Sequence, residues 1–313
     1  MSTLSFPASH TKKPSGLALM SSLITGQLRP GKMWERPHYR FKFLARSLFF
    51  PRVTFQIIKQ LAAHPLCDEI LHAQPTLPCK VQRPYLAVNM TRSQHVNALC
   101  DHYEFTRTRM PLAMQTAHLS KTTLKLATFT GKDELMFSIS MNACQGLDKE
   151  GEVTLRFLDE TNRPLANITF ILINHDAVPT LFIGAIQGPN KGVDRQQIQQ
   201  ATKACYGLFP KRILMEAALL LADKMNMQQV FAVSNNTHIY ESSRYSKRKQ
   251  FVFADYDAFW ETLGAHQHAN GYYHFPAQIP HKSLEEIASK KRAEYRRRYQ
   301  LLDEMEMQIR GKF

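Results

Sequence analysis

The stretch that most constrains how this chain folds is Pro179 to Trp260, where two short apolar runs are separated by a glycine-bearing turn and two helical segments. The first run, Thr180-Leu-Phe-Ile-Gly-Ala-Ile, leads into Gln187-Gly-Pro-Asn-Lys-Gly192. The second, Gln229-Val-Phe-Ala-Val, leads into Ser234-Asn-Asn-Thr-His-Ile-Tyr240. A continuously apolar run suits a strand buried on both faces, the setting of an interior parallel strand. Between the runs, Asp194 is placed to cap a helix with Ile198, Ala201 and Cys205 on one stripe. Gly207 and Pro210 stop that helix and start a second, apolar on most sides through Ile213, Leu214, Ala217, Ala218, Leu220 and Leu221. This order predicts parallel neighbours, so both polar turns leave the same carboxyl edge of the sheet, where open α/β sheets place their ligands.

Upstream, Leu124–Thr130, Glu134–Ser140, Val153–Leu158 and Ala166–Ile173 alternate apolar and polar residues and predict antiparallel strands, with a hairpin at Thr161–Pro164. Downstream, Asp255–Gly264 reads as a short helix ended by glycine, and Gly271-Tyr-Tyr-His-Phe-Pro as a brief strand. Ser283 with Glu286 has the spacing of a capping box and predicts a long final helix to about Ile309. At the other end, residues 1–14 read as a polar tail, Pro37–Ala63 as two helical pieces divided at Pro51, and Pro65–Pro84 as a loop-rich connector. Arg92 to Phe105 is helical in pattern and carries His95 and His102. The fold class is therefore α/β (α+β): a basic helical region with a proline-rich connector over residues 1–115, then a mixed-sheet domain over 116–313 with a long carboxy-terminal helix.

Charge bears on partners. Forty Lys and Arg against 26 Asp and Glu give +14, which favours anionic partners. Up to Pro65 there are ten basic residues and one acid, Glu35, so nine of the fourteen surplus charges lie in the first fifth of the chain. The Pro37–Ala63 segment mixes Arg and Lys with large apolar residues, as a basic amphipathic element on anionic lipid does, and as a helical pair packed on a core with its basic face solvated also does. Nucleic acid is disfavoured, because no aromatic platform or helix-turn-helix accompanies the charge and Glu285, Glu286, Glu294, Asp303, Glu304 and Glu306 dilute it. Five widely spaced cysteines without a CxxC pair suit a reducing compartment, and no apolar run approaches the ~20 residues of a membrane span. The expectation is a cytoplasmic protein, peripheral to the inner membrane where its basic region engages an anionic surface or an envelope protein.

Several blocks resemble the VirK/YbjX family of Gram-negative bacteria: Thr180-Leu-Phe-Ile-Gly-Ala-Ile-Gln-Gly-Pro, Gly207-Leu-Phe-Pro-Lys-Arg, Ala254-Asp-Tyr-Asp-Ala-Phe-Trp, Gly271-Tyr-Tyr-His-Phe-Pro and Lys290-Lys-Arg-Ala-Glu-Tyr-Arg-Arg-Arg-Tyr. The similarity runs from about Gly31 onward. It implies a virulence-associated or envelope-stress protein, linked with surface display of a virulence factor and with tolerance of cationic antimicrobial peptides. The element order also resembles the Gcn5-related N-acyltransferases. That likeness implies acyl transfer from acetyl-CoA or another acyl-CoA, with a pyrophosphate held by the turn at a helix amino terminus.

The candidate cofactor residues are accordingly Gln187, Gly188, Asn190, Lys191 and Gly192, although Gly-Pro and Asn also make an ordinary tight turn. His238 or Tyr240 is the candidate general acid or base; an Asn-rich strand exit would read the same way. Asn235, Arg244, Tyr245, Tyr256 and Trp260 are candidate substrate contacts, although aromatic residues of this kind also build cores. No metal site is assigned, since the spacing of His266, His268, His274 and His281 fits no known ligand pair. Three functions stay open: an acyltransferase, a non-enzymatic adaptor on anionic lipid or a protein, and RNA binding on charge alone.

Overall fold

A computed structural model describes residues 14–144, 146–189, 192–245 and 255–313. The chain divides into two compact units, Met1–Gln82 and Arg83–Phe313; the boundary read at residue 115 falls inside the second, within a helix that packs on the sheet.

The described part of the first unit is helical: α1 (Gly16–Thr25), α2 (Lys32–Glu35), α3 (Pro37–Phe49), α4 (Pro51–Ala63), α5 (Cys67–Ala73) and α6 (Leu77–Lys80). Pro37 and Pro51 open α3 and α4, where a missing N–H costs nothing, so the break read at Pro51 is a helix start. Trp34 is the anchor of this unit's core. Its indole N–H donates to the Pro75 carbonyl at 2.6 Å, and Tyr39 and Phe43 pack edge-on against its ring. The stretch Pro65–Pro84 is not the loop-rich connector that its prolines predict. It holds α5 and α6, because Pro65 and Pro75 precede helices and Pro78 sits in a first helical turn, positions that proline tolerates.

The second unit is built on an eight-stranded sheet: β1 (Leu124–Thr130), β2 (Met136–Ala143), β3 (Val153–Leu158), β4 (Pro164–His175), β5 (Val178–Gln187), β6 (Gln229–Ala232), β7 (His266–Gln267) and β8 (Tyr273–His274), in the order β1-β2-β3-β4-β5-β6-β8-β7. Every pairing is antiparallel except β5 with β6, which is parallel from Thr180 opposite Gln229 to Ile183 opposite Ala232. The mixed sheet and its single parallel pair follow the element order read from the sequence. β4 is buried at every residue from Leu165 to Ile173, as a strand covered on both faces must be, and α7 (Arg92–Arg109) and α10 (Pro210–Lys224) both pack on it. The crossover between β5 and β6 carries α9 (Arg195–Ala204) and α10. Asp194 caps α9 through Gln197, and Pro210 opens α10.

The remaining helices are α8 (Leu112–Ser120), α11 (Tyr256–Glu261), capped by Asp255, and α12 (Ser289–Arg310). The last begins at Ser289 and not directly after Ser283, as the capping box predicts. Ser283 N–H does donate to Glu286 at 2.7 Å, but Ile287 is drawn into the core and the chain bends there instead of winding.

Two glycines set how closely the loop before β3 approaches the sheet. β5 carries a bulge at Gly184, where the register with β4 shifts between Ala185 opposite Thr169 and Ile183 opposite Phe170. A side-chain carbon at Gly184 would fall on the Glu150 carbonyl, and one at Gly151 would lie 2.7 Å from the Phe170 carbonyl oxygen. Both glycines let the 149–152 backbone run flush against the sheet. Gly184→Ala is therefore expected to lower unfolding free energy by about 1–3 kcal/mol in urea titration. Gly188→Ala, four residues on with open space around it, is expected to change it by less than about 0.5 kcal/mol; equal effects would mean that the contact at Gly184 is not tight.

Candidate active site

β5 and β6 stay paired through Ile183, whose carbonyl accepts the Val233 N–H at 3.0 Å, and then part company. β5 continues to Gln187, still paired with Asn167 of β4, while the chain after Val233 turns away at Ser234–Thr237. That turn is held by the Ser234 and Thr237 hydroxyls, 3.0 Å apart, and by the Thr237 hydroxyl accepting the Ser234 N–H at 2.8 Å. Three side chains meet at this divergence: Glu150 from the loop before β3, His238 from the loop after β6 and Tyr256 from the first turn of α11.

Glu150 is 1% exposed. Its carboxyl accepts from the Gln187 amide at 3.0 and 3.3 Å, and its Oε1 lies 3.6 Å from His238 Nε2. The His238 and Tyr256 rings stack with centroids 5.0 Å apart, and the Tyr256 hydroxyl lies 3.5 Å from His238 Nε2. Burial is the largest influence on all three. It raises the Glu150 pKa to about 8, lowers that of His238 to about 4, and pushes that of Tyr256 upward with help from Glu150. Burial thus disfavours the charged form of both Glu150 and His238. His238 Nδ1 accepts the Tyr240 N–H at 3.3 Å, so the neutral ring carries its proton on Nε2, toward Glu150 and Tyr256.

A strap at residues 85–88 fixes the spacing of the centre. Leu86 N–H donates to the Lys149 carbonyl at 2.8 Å, and Val88 N–H to the Thr237 carbonyl at 3.0 Å, so one short segment ties the backbone beside Glu150 to the backbone beside His238. Ala87 and His238 form an antiparallel bridge between those bonds. The same strap delivers Tyr85, whose hydroxyl donates to the Glu152 carboxylate at 2.5 Å, while the Tyr103 hydroxyl of α7 donates to its other oxygen at 2.8 Å. Both phenols are fully buried, and burial with the neighbouring Glu152 raises their pKa values well above the usual range.

Of the residues singled out in the sequence, Gln187, His238 and Tyr256 come together here. Tyr240 is half-buried, its ring edge-on to His238 at 5.1 Å. Asn235 has an architectural position. Its N–H donates to Asp257, its amide nitrogen donates to Asp255, and its amide oxygen accepts the Tyr256 N–H at 2.8 Å, pinning α11 to the strand exit. Trp260 is core, fully buried with its indole N–H on the Val233 carbonyl. Tyr245 is buried with the Lys149 ammonium 5.4 Å above its ring, and Arg244 beside it is exposed.

In the candidate cofactor turn, Asn190 and Lys191 lie outside the described residues. The rest of the turn does not fit a pyrophosphate. Gln187 is engaged with Glu150, Pro189 has no N–H, and the amino end of α9 is already capped by the Asp194 carboxylate, an anion where the phosphates would sit. Among the described residues, no group of three or more His, Cys, Asp and Glu is arranged to hold a metal ion. His281, one of the four clustered histidines, instead pairs with Glu216 at 3.0 Å.

Sequence reasoning missed Glu150, Glu152, Tyr85 and Tyr103. The one signal for the two acids was Glu150-Gly-Glu152 directly before an alternating strand, where acids at every second position fall in register with Thr154, a buried polar residue of β3.

Residues 32–311 match the model of a family described as protein of unknown function (DUF535). Uncharacterized protein YbjX of Escherichia coli is 45% identical over 299 residues, 96% of this chain and 91% of its own length. An uncharacterized protein of Haemophilus influenzae is 25% identical over 285 residues, 91% of each chain. Membrane protein LapB of Mannheimia haemolytica is 23% identical over 194 residues, 62% of this chain and 82% of its own. Matched by that family model over residues 32–311 and 45% identical to YbjX over 96% of its length, the chain belongs to the DUF535 family, the VirK/YbjX family.

Proposed function

We propose that the second unit is a transferase that moves an acyl group onto a nucleophilic acceptor by general-base catalysis, with Glu150 as the base. The observation that supports this is a carboxyl buried beside the His238 Nε2–H, with the Tyr256 hydroxyl 3.5 Å from that nitrogen, where two paired strands separate. In its ionised form Glu150 takes the proton of an acceptor amine or hydroxyl as the acceptor's lone pair attacks the acyl carbonyl, and then passes that proton to the leaving group. His238 acts as a neutral donor, and with Tyr256 it supplies the hydrogen bonds that a developing oxyanion needs in a water-excluded site. Half-buried Tyr240, edge-on to the His238 ring, flanks this centre.

The acyl-CoA expectation is narrowed by the Asp194-capped helix. A donor that carries its acyl thioester without a nucleotide diphosphate suits this sheet edge better than coenzyme A does. The setting we assign, from the family resemblance, is the cytoplasmic face of the envelope, in support of virulence-factor display and tolerance of cationic antimicrobial peptides. The name of the Mannheimia relative agrees with a membrane setting, and no helix among the described residues is long and apolar enough to cross a membrane.

Two experiments bear on the reading. Acetyl-pantetheine and acetyl-CoA are offered with a panel of primary amines. Transfer from acetyl-pantetheine is expected to be at least as fast, to rise tenfold per pH unit below about 8, and to fall by about 10²-fold or more in Glu150→Gln. No transfer from either donor, or a Glu150→Gln variant as fast as the natural protein, would sink it. The second concerns stability. The Glu150 pKa moves from 4.5 to about 8 on folding, so the folded protein keeps a proton that the unfolded chain releases, and stability falls as pH rises through that window. Glu150→Gln removes this penalty. It is expected to be more stable than the natural protein by about 1–3 kcal/mol at pH 8 in urea titration, with the gap closing by pH 4.5; a gap independent of pH would show that Glu150 is ionised in the fold.

A further inference from the structure

α3 and α4 together span 26 residues with five basic side chains, Arg40, Lys42, Arg46, Arg52 and Lys59, and no acid. Ordinary solvated helices intersperse charges of both signs. These two do not, and they also leave large apolar side chains outside. Phe41, Leu48 and Phe49 of α3 are 69%, 74% and 80% exposed, and Phe55 of α4 is 40% exposed. This is not a failure to find a core. α3 buries Phe43 and Ser47, one helical turn apart, with Phe43 against Trp34, and α4 buries Thr54, Ile57, Ile58 and Leu61. Phe41 and Leu48, seven residues apart, share the side of α3 away from Phe43 and Ser47. On α4, Arg52, Phe55, Gln56 and Lys59 form one exposed face at the same three- and four-residue spacing.

We propose that this face of α3 and the first turns of α4 is a docking surface for an anionic lipid bilayer, with Phe41, Leu48 and Phe49 entering between headgroups and Lys42, Arg52 and Lys59 meeting their phosphates. Three features select a bilayer over other occupants. Side chains about three-quarters exposed project from the surface instead of lining a groove, and a bilayer receives projecting side chains without a matching pocket. The cations interleave with the apolar residues, which matches a surface whose charge lies directly above its hydrocarbon. A second copy of the chain would set two acid-free basic faces against each other, an arrangement that like charges oppose. The surface is independent of the acid–base centre, and its failure would leave that reading standing.

The test uses the full-length protein and cosedimentation with vesicles of phosphatidylglycerol and phosphatidylethanolamine, or of phosphatidylcholine alone. Binding to the anionic vesicles and not to the neutral ones is expected, weakening as salt is raised. Each basic side chain near the surface contributes about fivefold, so Lys42→Glu with Arg52→Glu is expected to lower partitioning by at least about 25-fold. Leu48→Glu with Phe49→Glu is expected to abolish it. All four side chains are exposed, so both variants keep the natural melting temperature, which verifies that they fold. Equal binding to neutral vesicles, binding unchanged in both double variants, or a dimer formed without lipid and dissolved by Leu48→Glu with Phe49→Glu would overturn the proposal.

Discussion

Two carboxyl groups two residues apart, Glu150 at 1% and Glu152 at 0% exposure, are the constraint around which the second unit is arranged. A buried carboxyl has to be hydrogen-bonded, neutralised or both. The partners come from segments far apart in sequence: Tyr85 and Tyr103 for Glu152, and Gln187 with the neighbouring His238 for Glu150. Meeting them requires Gly151 and Gly184 to admit the loop against β4 and β5. It also requires Leu86 to adopt a φ of +61°, which costs about 1–2 kcal/mol for a leucine. That strained residue places Tyr85 on Glu152 while its own N–H holds the Lys149 carbonyl. The strand divergence, the strap and the two glycines are thus parts of one solution, and loosening any of them moves the others.

The sequence was legible wherever the cause of a structure lies within a few residues of it. Alternation gave β1 to β4, the apolar runs gave β5 and β6 as parallel neighbours, and short-range chemistry gave the cap at Asp194, the division at Pro51 and the helix start at Pro210. It misled where a local signal lost to packing. The Ser283–Glu286 spacing forms its hydrogen bond, yet Ile287 is buried and the helix waits for Ser289. The prolines after residue 64 read as breakers although they stand at helix ends. At the candidate site, His238 and Gln187 were visible because polar residues leaving a buried strand are conspicuous, and Tyr256 because aromatic residues cluster on its short helix. Glu150 and Glu152 were not, because Lys149-Glu-Gly-Glu152 looks like any solvated turn, and nothing local says that partners 37 to 88 residues away will enclose it.

The contrast between the two acids separates architecture from chemistry. Glu152 has a phenol on each oxygen, the arrangement that a permanently buried carboxylate needs, and it fastens α7 and the strap to the start of β3. Glu150 is provided for less well. The Gln187 amide reaches it, while His238 Nε2 stops 3.6 Å from its carboxyl and 3.5 Å from the Tyr256 hydroxyl, beyond good hydrogen-bond distance. Burial then disfavours charge on both groups, raising the carboxyl's pKa and lowering the imidazole's. A structural role would be filled better by glutamine, which keeps the hydrogen bond without a group that resists ionisation. A carboxyl whose pKa burial raises to about 8, beside an imidazole N–H, is instead the condition in which a proton can be accepted or returned with little free-energy change. On the proposed function, stability is lost at the residue where reactivity is gained, and that coincidence is the physical reason for proposing Glu150 as the base.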